Sequence, residues 1–347
     1  MKLFSSLSVL FLALIACNGS GSHSVPKYDI RLTSPQKDIH LNDSIQLDVS
    51  HNDFGENVQS VTYTINAQKL LQTKENQYVV SNVKLGKQFL TADVILANGQ
   101  KETVQKEITI LAQHAPKIFQ YRIIAEYPHD TQAYTQGLEF VGDTLIESTG
   151  QYGHSSIRKW NVFTGEMYIN KPIGNSYFGE GVTALNNKIY QLTWREKIGF
   201  VYDMNLNPLK TFAYGQSQEG WGLCNDGTNL YKSDGTERIW TLDPDTLAEK
   251  DFIQLCTNQS IYSKANELEW VDGKIYANTY QRDGIMIINP ENGAIEGIVD
   301  MRGLKDKVQQ ISTLDVLNGI AYHATRKTFF ITGKNWSSVF EVVFEEK

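Results

Sequence analysis

Positive charge is scarce in this sequence and is not concentrated at any point along it. The 32 Lys and Arg residues are outnumbered by 39 Asp and Glu residues, which leaves a formal net charge of −7. Proteins that bind nucleic acid present a basic surface that neutralises phosphate groups. The composition therefore argues against a nucleic-acid partner.

Motifs with metal-ligand spacing are missing as well. The seven histidines are scattered, at positions 23, 40, 51, 114, 129, 154 and 323, and no HExxH or paired metal-ligand spacing occurs. We therefore expect no metal cofactor in the chemistry of this protein. A structural calcium ion, bound by loop carboxylates or carbonyls, is an open alternative to which the sequence assigns no position.

Long apolar runs are absent except at the N-terminus. The run at residues 3–15 is too short to span a bilayer and is typical of a secretory signal. It ends in Leu14-Ile15-Ala16-Cys17, which resembles a bacterial lipobox. Residues 1–17 are therefore predicted to be a lipoprotein signal peptide with Cys17 as the lipidation site. An ordinary signal peptide with an incidental cysteine is the alternative.

The lipobox determines the expected location of the protein. We expect it to be exported and lipid-anchored to the bacterial cell envelope, facing the periplasm or the surface, with no other contact with the membrane. Residues 18–26 are predicted to be a flexible linker between the lipid and the folded chain. We expect the folded chain to be a monomer.

Cysteine is rare, with three residues in the chain. If Cys17 carries a lipid, Cys224 and Cys256 remain. They could form one disulfide in an oxidising compartment or be two buried small hydrophobic residues. Neither belongs to a motif with a histidine, so we expect no catalytic role for them.

Residues 27–113 contain short segments in which apolar and polar residues alternate, as in half-buried strands. The segments are YDIRLTS, SIQLDVSH, SVTYTINA, QYVVSNV, FLTADVILA and ETVQKEITIL. Asn98-Gly99, between the last two, is a strong signal for a β-hairpin. This spacing predicts an immunoglobulin-like β-sandwich. It contains no catalytic constellation, and we expect it to be a spacer or docking module.

Residues 117–347 contain a repeat that consists of a small residue, an apolar strand, a turn and a second apolar strand. We call its first residues the anchor residues, and they lie 41 to 52 positions apart at Gly137, Gly181, Gly222, Glu267 and Gly319. This period is typical of the four-stranded blade of a β-propeller, whereas a parallel β-helix has shorter repeats. We therefore predict an all-β protein in which a five-bladed β-propeller follows the sandwich.

The fifth repeat is too short to supply a fourth strand of its own. It ends in SVFEVVF, and residues 121–128 precede the first repeat. Pairing of these two segments would complete the fifth blade and remove an open sheet edge. We therefore expect the two ends of the propeller to close the ring.

Two sets of equivalent positions in the repeat carry residues that strand packing does not require. The residues immediately before the anchors are Gln136, Glu180, Trp221, Asn266 and Asn318. Thirteen positions after the anchors, with an allowance for one longer turn, come Gly150, Trp194, Gly235, Tyr280 and Lys334. Such unlike side chains around one opening predict an asymmetric binding pocket. A polar plug in a narrow channel is the alternative.

Glu180 is the chemically distinctive member of these sets. It lies between two glycines in Phe178-Gly-Glu-Gly181, so a substrate could approach its carboxylate closely. Burial among Phe178, Trp194 and Trp221 is expected to raise its pKa toward neutrality, which would allow it both to accept and to donate a proton. A structural glutamate that binds strand amides is the alternative.

The motifs at these positions resemble the plant-type glutaminyl-peptide cyclotransferases, which are five-bladed propellers with bacterial members. The resemblance extends over residues 122–344. It depends on several motifs in order: Tyr134-Thr-Gln-Gly137, Phe178-Gly-Glu-Gly181, Leu192-Thr-Trp194, Glu219-Gly-Trp-Gly222, Asn266-Glu-Leu-Glu269, Asn318-Gly-Ile-Ala321 and Ile331-Thr-Gly-Lys334.

The resemblance implies a role for each matching residue. Glu180 matches the catalytic carboxylate, and the expected substrate-binding residues are Tyr134, Gln136, Phe178, Trp194, Trp221, Asn266, Tyr280 and Lys334. Tyr134 replaces a usual Phe, and Tyr280 replaces a common Trp. Both substitutions keep an aromatic ring, so we expect altered substrate preference rather than lost activity.

The implied reaction converts the N-terminal glutamine of peptides or proteins into pyroglutamate and releases ammonia. Glu180 would accept a proton from the attacking amine and donate it to the leaving nitrogen. Candidate donors to the oxyanion are the indole N–H groups of Trp194 and Trp221 and the amides of Asn266 and Gln136. Lys334 would either support the oxyanion or pair with Glu180.

Two other functions are compatible with a propeller. A non-catalytic cell-surface protein that binds peptides or glycans would fit the tryptophans and the additional sandwich, but it would not need Glu180 between two glycines. A metal-dependent hydrolase or lactonase would need several carboxylates, and the two sets of positions supply only Glu180.

Overall fold

The computed structural model describes residues 28–34, 37–51 and 57–347. The predicted signal peptide (1–17), its lipidation site Cys17 and the linker (18–26) lie outside the described residues. The described ranges form 29 strands and one turn of 3-10 helix, Lys305–Lys307, which confirms the predicted all-β class. Within these ranges, no helix has the length and apolar character needed to cross a membrane.

The first nine strands form two sheets around one core. They are β1 (Tyr28–Thr33), β2 (Ile39–His40), β3 (Ser44–His51), β4 (Val58–Ile65), β5 (Gln68–Lys69), β6 (Leu71–Lys74), β7 (Gln77–Val79), β8 (Gly86–Leu96) and β9 (Lys101–Leu111). The sheet orders are β1-β3-β7-β6 and β2-β9-β8-β4-β5. Alternate side chains of β8 are buried, and Leu90 and Val94 share a hydrophobic core with Ile30 and Leu47 of the other sheet. We call this part the N-terminal sheets.

The remaining strands form the C-terminal repeat, residues 117–347. They are β10 (Lys117–Pro128), β11 (Thr135–Val141), β12 (Thr144–Thr149), β13 (Ser156–Trp160), β14 (Met167–Pro172), β15 (Gly179–Leu185), β16 (Lys188–Thr193), β17 (Ile198–Asp203), β18 (Pro208–Ala213), β19 (Leu223–Asn225), β20 (Leu230–Ser233), β21 (Arg238–Leu242), β22 (Glu249–Gln254), β23 (Ala265–Val271), β24 (Lys274–Thr279), β25 (Gly284–Ile288), β26 (Ile295–Asp300), β27 (Leu317–His323), β28 (Thr328–Gly333) and β29 (Ser338–Glu346).

These strands are arranged as five four-stranded units. β11–β14, β15–β18 and β19–β22 each form a separate antiparallel sheet in chain order. β23–β26 form the fourth unit, and β27, β28, β29 and β10 form the fifth. A short parallel pairing of β10 with β26, over residues 117–120, joins the last two units into one sheet.

The first strand of each unit packs against the first strand of the next. The contacts follow the order β11, β15, β19, β23 and β27, and β27 also contacts β11. A Cβ atom on Gly137 would lie 2.5 Å from the backbone nitrogen of Val182, and one on Gly181 would lie 2.6 Å from the carbonyl carbon of Gly222. These two anchor residues are therefore glycines because the backbone of the neighbouring unit packs directly against them.

Glu267 is the one anchor residue with a long side chain. Its fully buried carboxylate accepts hydrogen bonds from the backbone nitrogens of Ile320, at 2.9 Å, and Leu138, at 3.3 Å. These residues belong to β27 and β11, so one side chain joins the fourth unit to the fifth and the first. Burial raises the pKa of Glu267 well above its usual value, and the nearby Glu269 raises it further.

The two ends of the C-terminal repeat pair as predicted. β10 runs antiparallel to β29, with Phe119 opposite Glu346 and Pro128 opposite Ser338. The order β10-β29-β28-β27 gives the fifth unit its fourth strand from the beginning of the repeat. Because β10 and β29 pair with each other, neither strand leaves its backbone groups unpaired along this edge.

The N-terminal sheets pack against the third and fourth units. Cys256 and Ala294 belong to the same hydrophobic core as the N-terminal sheets. The backbone nitrogen of Leu85 donates to the carbonyl of Asn292 at 3.0 Å.

The two cysteines of the C-terminal repeat do not form a disulfide bond. Cys224 and Cys256 are both buried and free. The disulfide alternative is therefore excluded.

Candidate active site

All nine residues predicted to form the active site line one cavity of about 480 Å³. Its lining residues are Tyr134, Gln136, Gln151, Phe178, Glu180, Trp194, Arg195, Glu219, Trp221, Asn266, Tyr280 and Lys334. They come from the beginnings of the first strands and from the loops between the second and third strands of the units. The volume suits a small ligand or the end of a peptide.

Glu180 lies at the beginning of β15 and is 4% exposed. Its Oε1 accepts a hydrogen bond from Gln136 Nε2 at 3.1 Å. Its Oε2 has no hydrogen-bond partner among the described residues. Burial raises the pKa of Glu180 well above its usual value, Lys334 lowers it, and the carboxylates of Glu219 and Glu196 raise it further. Burial thus favours the protonated form of Glu180, and Lys334 favours the ionised form.

The glycines beside Glu180 serve strand packing rather than substrate access. A Cβ atom on Gly179 would lie 2.5 Å from the carbonyl oxygen of Thr149, and one on Gly181 would lie 2.7 Å from that of Trp221. Both glycines thus face neighbouring backbone. They let β15 come close to the adjacent strands, and this packing holds Glu180 at the cavity wall.

Gln136 connects Glu180 to the inner strands. It donates to Glu180 Oε1, and its own Oε1 accepts a hydrogen bond from Asn318 Nδ2 at 3.2 Å. Asn318 Nδ2 also donates to the backbone carbonyl of Thr135 at 2.9 Å. Gln136 therefore fixes one oxygen of the Glu180 carboxyl group, and one N–H of its amide is already engaged as a donor.

Lys334 lines the cavity and is buried. Its Nζ is 4.8 Å from the ring centre of Tyr134 and 5.4 Å from that of Tyr280, so it is in cation–π contact with both. The Tyr134 hydroxyl donates to Asp315 Oδ2 at 2.8 Å. Burial lowers the pKa of Lys334, whereas Glu180 and Asp315 raise it. The cavity thus contains a cation that acts on Glu180.

Glu219 holds the two tryptophans of the cavity in place. Its Oε2 accepts hydrogen bonds from Nε1 of Trp194 and Nε1 of Trp221, each at 2.8 Å. Its Oε1 accepts from Arg195 Nε at 3.3 Å, and the Arg195 guanidinium lies 3.7 Å from the ring centre of Trp194. Both indole N–H groups are therefore occupied in this state. Of the predicted oxyanion donors, Asn266, Lys334 and the second N–H of the Gln136 amide are left.

Aromatic rings form the apolar wall of the cavity. The Phe178 ring lies 5.4 Å from that of Trp194 and 5.5 Å from that of Tyr152. A Cβ atom on Gly150 would lie 2.7 Å from the edge of Phe178, which explains the glycine at this repeat position. Trp221 packs against Tyr280 with ring centres 5.3 Å apart. These contacts restrict the rings to one arrangement.

Three lining residues were not predicted from the sequence: Gln151, Arg195 and Glu219. Gln151 and Arg195 follow Gly150 and Trp194 directly, so the position fourteen residues after each anchor also carries a signal. Glu219 lies three residues before its anchor Gly222, the repeat position that Tyr134 and Phe178 occupy in the first two units. In the part of the chain that is described, no group of three or more His, Cys, Asp or Glu side chains is arranged to hold a metal ion.

Comparison with known proteins gives consistent matches. A family model described as glutamine cyclotransferase matches residues 92–344. The chain is 38% identical over 234 residues to a glutaminyl-peptide cyclotransferase of Arabidopsis thaliana. The matched region covers 66% of this chain and 73% of the relative. It is 33% identical to the crystal structure of a glutaminyl cyclase of Myxococcus xanthus, with a TM-score of 0.63 over 67% of this chain and 99% of the other.

Proposed function

The chain belongs to the glutamine cyclotransferase family, and we propose that Glu180 transfers the proton in its reaction. The protein is a glutaminyl-peptide cyclotransferase, an enzyme that acts on peptides or proteins with an N-terminal glutamine. The reaction closes that glutamine into pyroglutamate and releases ammonia. The lining residues of the cavity suggest a role for each part of this chemistry.

The reaction forms one C–N bond and breaks another. The α-amine nitrogen of the substrate attacks the carbon of its own side-chain carboxamide, and the carboxamide nitrogen leaves. Glu180 takes a proton from the attacking amine and delivers it to the leaving nitrogen, so ammonia departs and the carboxyl group returns to its initial state. A cavity that holds the glutamine side chain folded back on its amine makes the attack effectively intramolecular and well oriented.

The observation that carries this proposal is the asymmetry of the Glu180 carboxyl group. Gln136 binds one oxygen, whereas the other is buried and has no hydrogen-bond partner among the described residues. An unpaired buried oxygen is costly unless a ligand binds it. We infer that the substrate nitrogen occupies this position.

The developing oxyanion needs a donor that is not already occupied. Both indole N–H groups donate to Glu219, and Gln136 donates to Glu180. We therefore assign the oxyanion to the Asn266 amide, the Lys334 ammonium or the second N–H of the Gln136 amide, all of which line the cavity. Tyr134, Phe178 and Tyr280 are proposed to enclose the glutamine side chain.

Mass spectrometry of a peptide with N-terminal glutamine tests the role of Glu180. We expect the wild-type enzyme to remove one ammonia from the peptide with EDTA present. Glu180→Gln should lower kcat by about 10²- to 10⁴-fold, since it removes the acid–base group. Glu196→Gln, which also removes a carboxylate near Glu180, is the matched control and should retain turnover. Full activity of a folded Glu180→Gln variant would exclude the mechanism.

The fold of the C-terminal repeat supports a five-bladed β-propeller over residues 117–347. The supporting observations are the five four-stranded units and the contacts of their first strands in chain order, with β27 returning to β11. Two sheets around a common core support an immunoglobulin-like sandwich over residues 27–113. We propose these two units as the domains of the protein.

We further propose that the enzyme is exported, lipid-anchored through Cys17 to the bacterial cell envelope, monomeric and independent of metal ions. The lipobox-like sequence before Cys17 supports the anchor. Activity in EDTA would support metal independence, because the proton transfer described above needs only side chains.

A further inference from the structure

A second cavity lies directly beside the active-site cavity. It has a volume of about 530 Å³ and shares Glu219 and Trp221 with the first cavity. Its far wall includes Asp234, Glu237 and Arg238, in and just after the loop between β20 and β21. One tryptophan and one glutamate therefore separate the two spaces.

A peptide substrate has to continue out of the active-site cavity. Only its first residue reacts, and the chain proceeds from the carbonyl group of that glutamine at about 3.3–3.6 Å per residue when extended. Resting on the proposed function, we propose that the second cavity binds the residues that follow the N-terminal glutamine and favours a cationic side chain among them. This defines a preferred substrate class, peptides with Lys or Arg shortly after the glutamine.

The charges of the second cavity support this preference. The carboxylates of Glu219, Asp234 and Glu237 line the cavity together with one guanidinium, of Arg238, and the Arg195 guanidinium also pairs with Glu219. Asp234 is fixed, because Oδ2 accepts from Trp240 Nε1 at 2.7 Å and Oδ1 accepts from the backbone of Thr236 at 3.0 Å. The Glu237 side chain is 34% exposed and can pair with an incoming cation. The apolar stem of a Lys or Arg side chain can lie against Trp221.

Arg238 offers a donor for the peptide backbone. Its Nε is buried and has no hydrogen-bond partner among the described residues, since Glu237 Oε1 is 3.6 Å away, too far for a hydrogen bond. The guanidinium packs on Phe252, 4.5 Å from the ring centre, and is thereby held in place. A carbonyl oxygen of a bound peptide would satisfy this donor.

The N-terminal sheets help to position the carboxylate of this subsite. Gln254 Nε2 donates to Glu237 Oε1 at 3.1 Å, and Gln254 Oε1 accepts from the backbone nitrogen of Lys87 at 2.6 Å. One side chain thus links Glu237 to the beginning of β8. The subsite is therefore formed before the substrate arrives, which lowers the entropic cost of binding.

The proposal is tested with a series of peptides and one variant pair. Each peptide begins with glutamine followed by alanines, with a single Lys, N-acetyl-Lys or Glu placed at the second, third or fourth position. We expect Lys at one of these positions to raise kcat/KM about two- to fivefold over N-acetyl-Lys, as for one partly exposed ion pair. The advantage should shrink at 1 M salt, where the Debye length is about 3 Å.

The variants separate the subsite from general effects of charge. Glu237→Gln should reduce the ratio of kcat/KM between the Lys and N-acetyl-Lys peptides to about one. Glu166→Gln removes an exposed carboxylate that lies outside both cavities and should retain the ratio of the wild type. Equal kcat/KM for all peptides at every position, or an advantage for Glu, would overturn the subsite. Failure to release ammonia from any peptide, the alanine series included, would overturn the proposed function instead.

Discussion

The protonation state of Glu180 depends on three charged neighbours that act in opposite directions. Burial raises its pKa, Lys334 lowers it, and Glu219 and Glu196 raise it. A carboxyl group accepts a proton only when it is ionised, so activity is expected to rise with pH through the pKa of Glu180. Lys334 thus extends the active range of the enzyme toward lower pH.

Replacing Lys334 with Met should shift the acidic limb of kcat against pH by about one unit to higher pH. The substitution removes the cation that stabilises the ionised form of Glu180. The pKa of Glu180 therefore rises, and a higher pH is needed to ionise it. We specify kcat because the substrate α-amine, with a pKa of about 7.7–8.0, titrates in kcat/KM. Lys334→Arg keeps the charge and should keep the limb in place. A uniform fall in kcat with an unmoved limb would assign Lys334 to the oxyanion instead.

Glu219→Gln should lower kcat/KM about 10- to 100-fold. The substitution removes the charged acceptor shared by Trp194 and Trp221, and hydrogen bonds to charged groups contribute about 1.5–3 kcal/mol. Tryptophan emission should change as well, because both indoles lose this partner. Glu196→Gln removes a like charge near Glu180 but no contact with either indole, so its kcat/KM and emission should stay near those of the wild type. Identical behaviour of the two variants would contradict a positioning role for Glu219.

The repeat was sufficient to predict most of the cavity wall but not the contacts within it. Glu180 and Lys334 occupy positions that recur in each unit, so counting from the anchor residues finds them. Glu219 is important because two indoles from different units meet at one of its oxygens. That convergence exists only after folding, and no spacing in the sequence encodes it. For the same reason the sequence did not show that both indole N–H groups donate to Glu219.

Among the structural elements, the first strands of the units determine how the C-terminal repeat is assembled. Three of the anchor residues, Gly137, Gly181 and Gly222, pack against backbone atoms of the next unit at distances that exclude a side chain. The apolar segment that follows each anchor predicted these strands, which are buried along most of their length. The exception at Glu267 could not be predicted, since its carboxylate binds amides of β11 and β27 that are distant in the chain.

Gly181→Ala should destabilise the protein by about 3 kcal/mol, at the upper end for overpacking. The added Cβ would lie 2.6 Å from the carbonyl carbon of Gly222 and 2.7 Å from the carbonyl oxygen of Trp221, and backbone atoms cannot move away locally. Equilibrium unfolding in denaturant measures the change. Gly284→Ala, in β25, is the control, because its nearest atom would be 3.7 Å away, and it should change stability by less than about 1 kcal/mol. Equal stability of both variants would refute the packing argument.

For the molecule as a whole, the N-terminal sheets lie in the sequence between the proposed lipidation site, Cys17, and the active-site residues. They dock on the third and fourth units through the core that includes Cys256 and through Gln254, which binds Lys87. A lipid on Cys17 would therefore hold the sheets and the C-terminal repeat as one body.

Cys17→Ser should release active enzyme from the membrane. In cells grown with a labelled fatty acid, the wild-type protein should carry the label and sediment with membranes, whereas the variant should be unlabelled and soluble. Because residue 17 lies outside the described fold, kcat of the two purified proteins should agree. Labelled, membrane-bound Cys17→Ser protein would exclude this anchor.

The pairing of β10 with β29 also determines when a newly made chain can finish folding. Arg122 and Glu345 form an ion pair across these strands although they are 223 positions apart in the sequence. β10 leaves the ribosome before its partner strand β29, because β29 follows it by more than 200 residues. Closing so long a loop is slow, and until then β10 presents unpaired backbone groups to other strands. The fifth unit of the C-terminal repeat therefore cannot be completed until β29 has been synthesised.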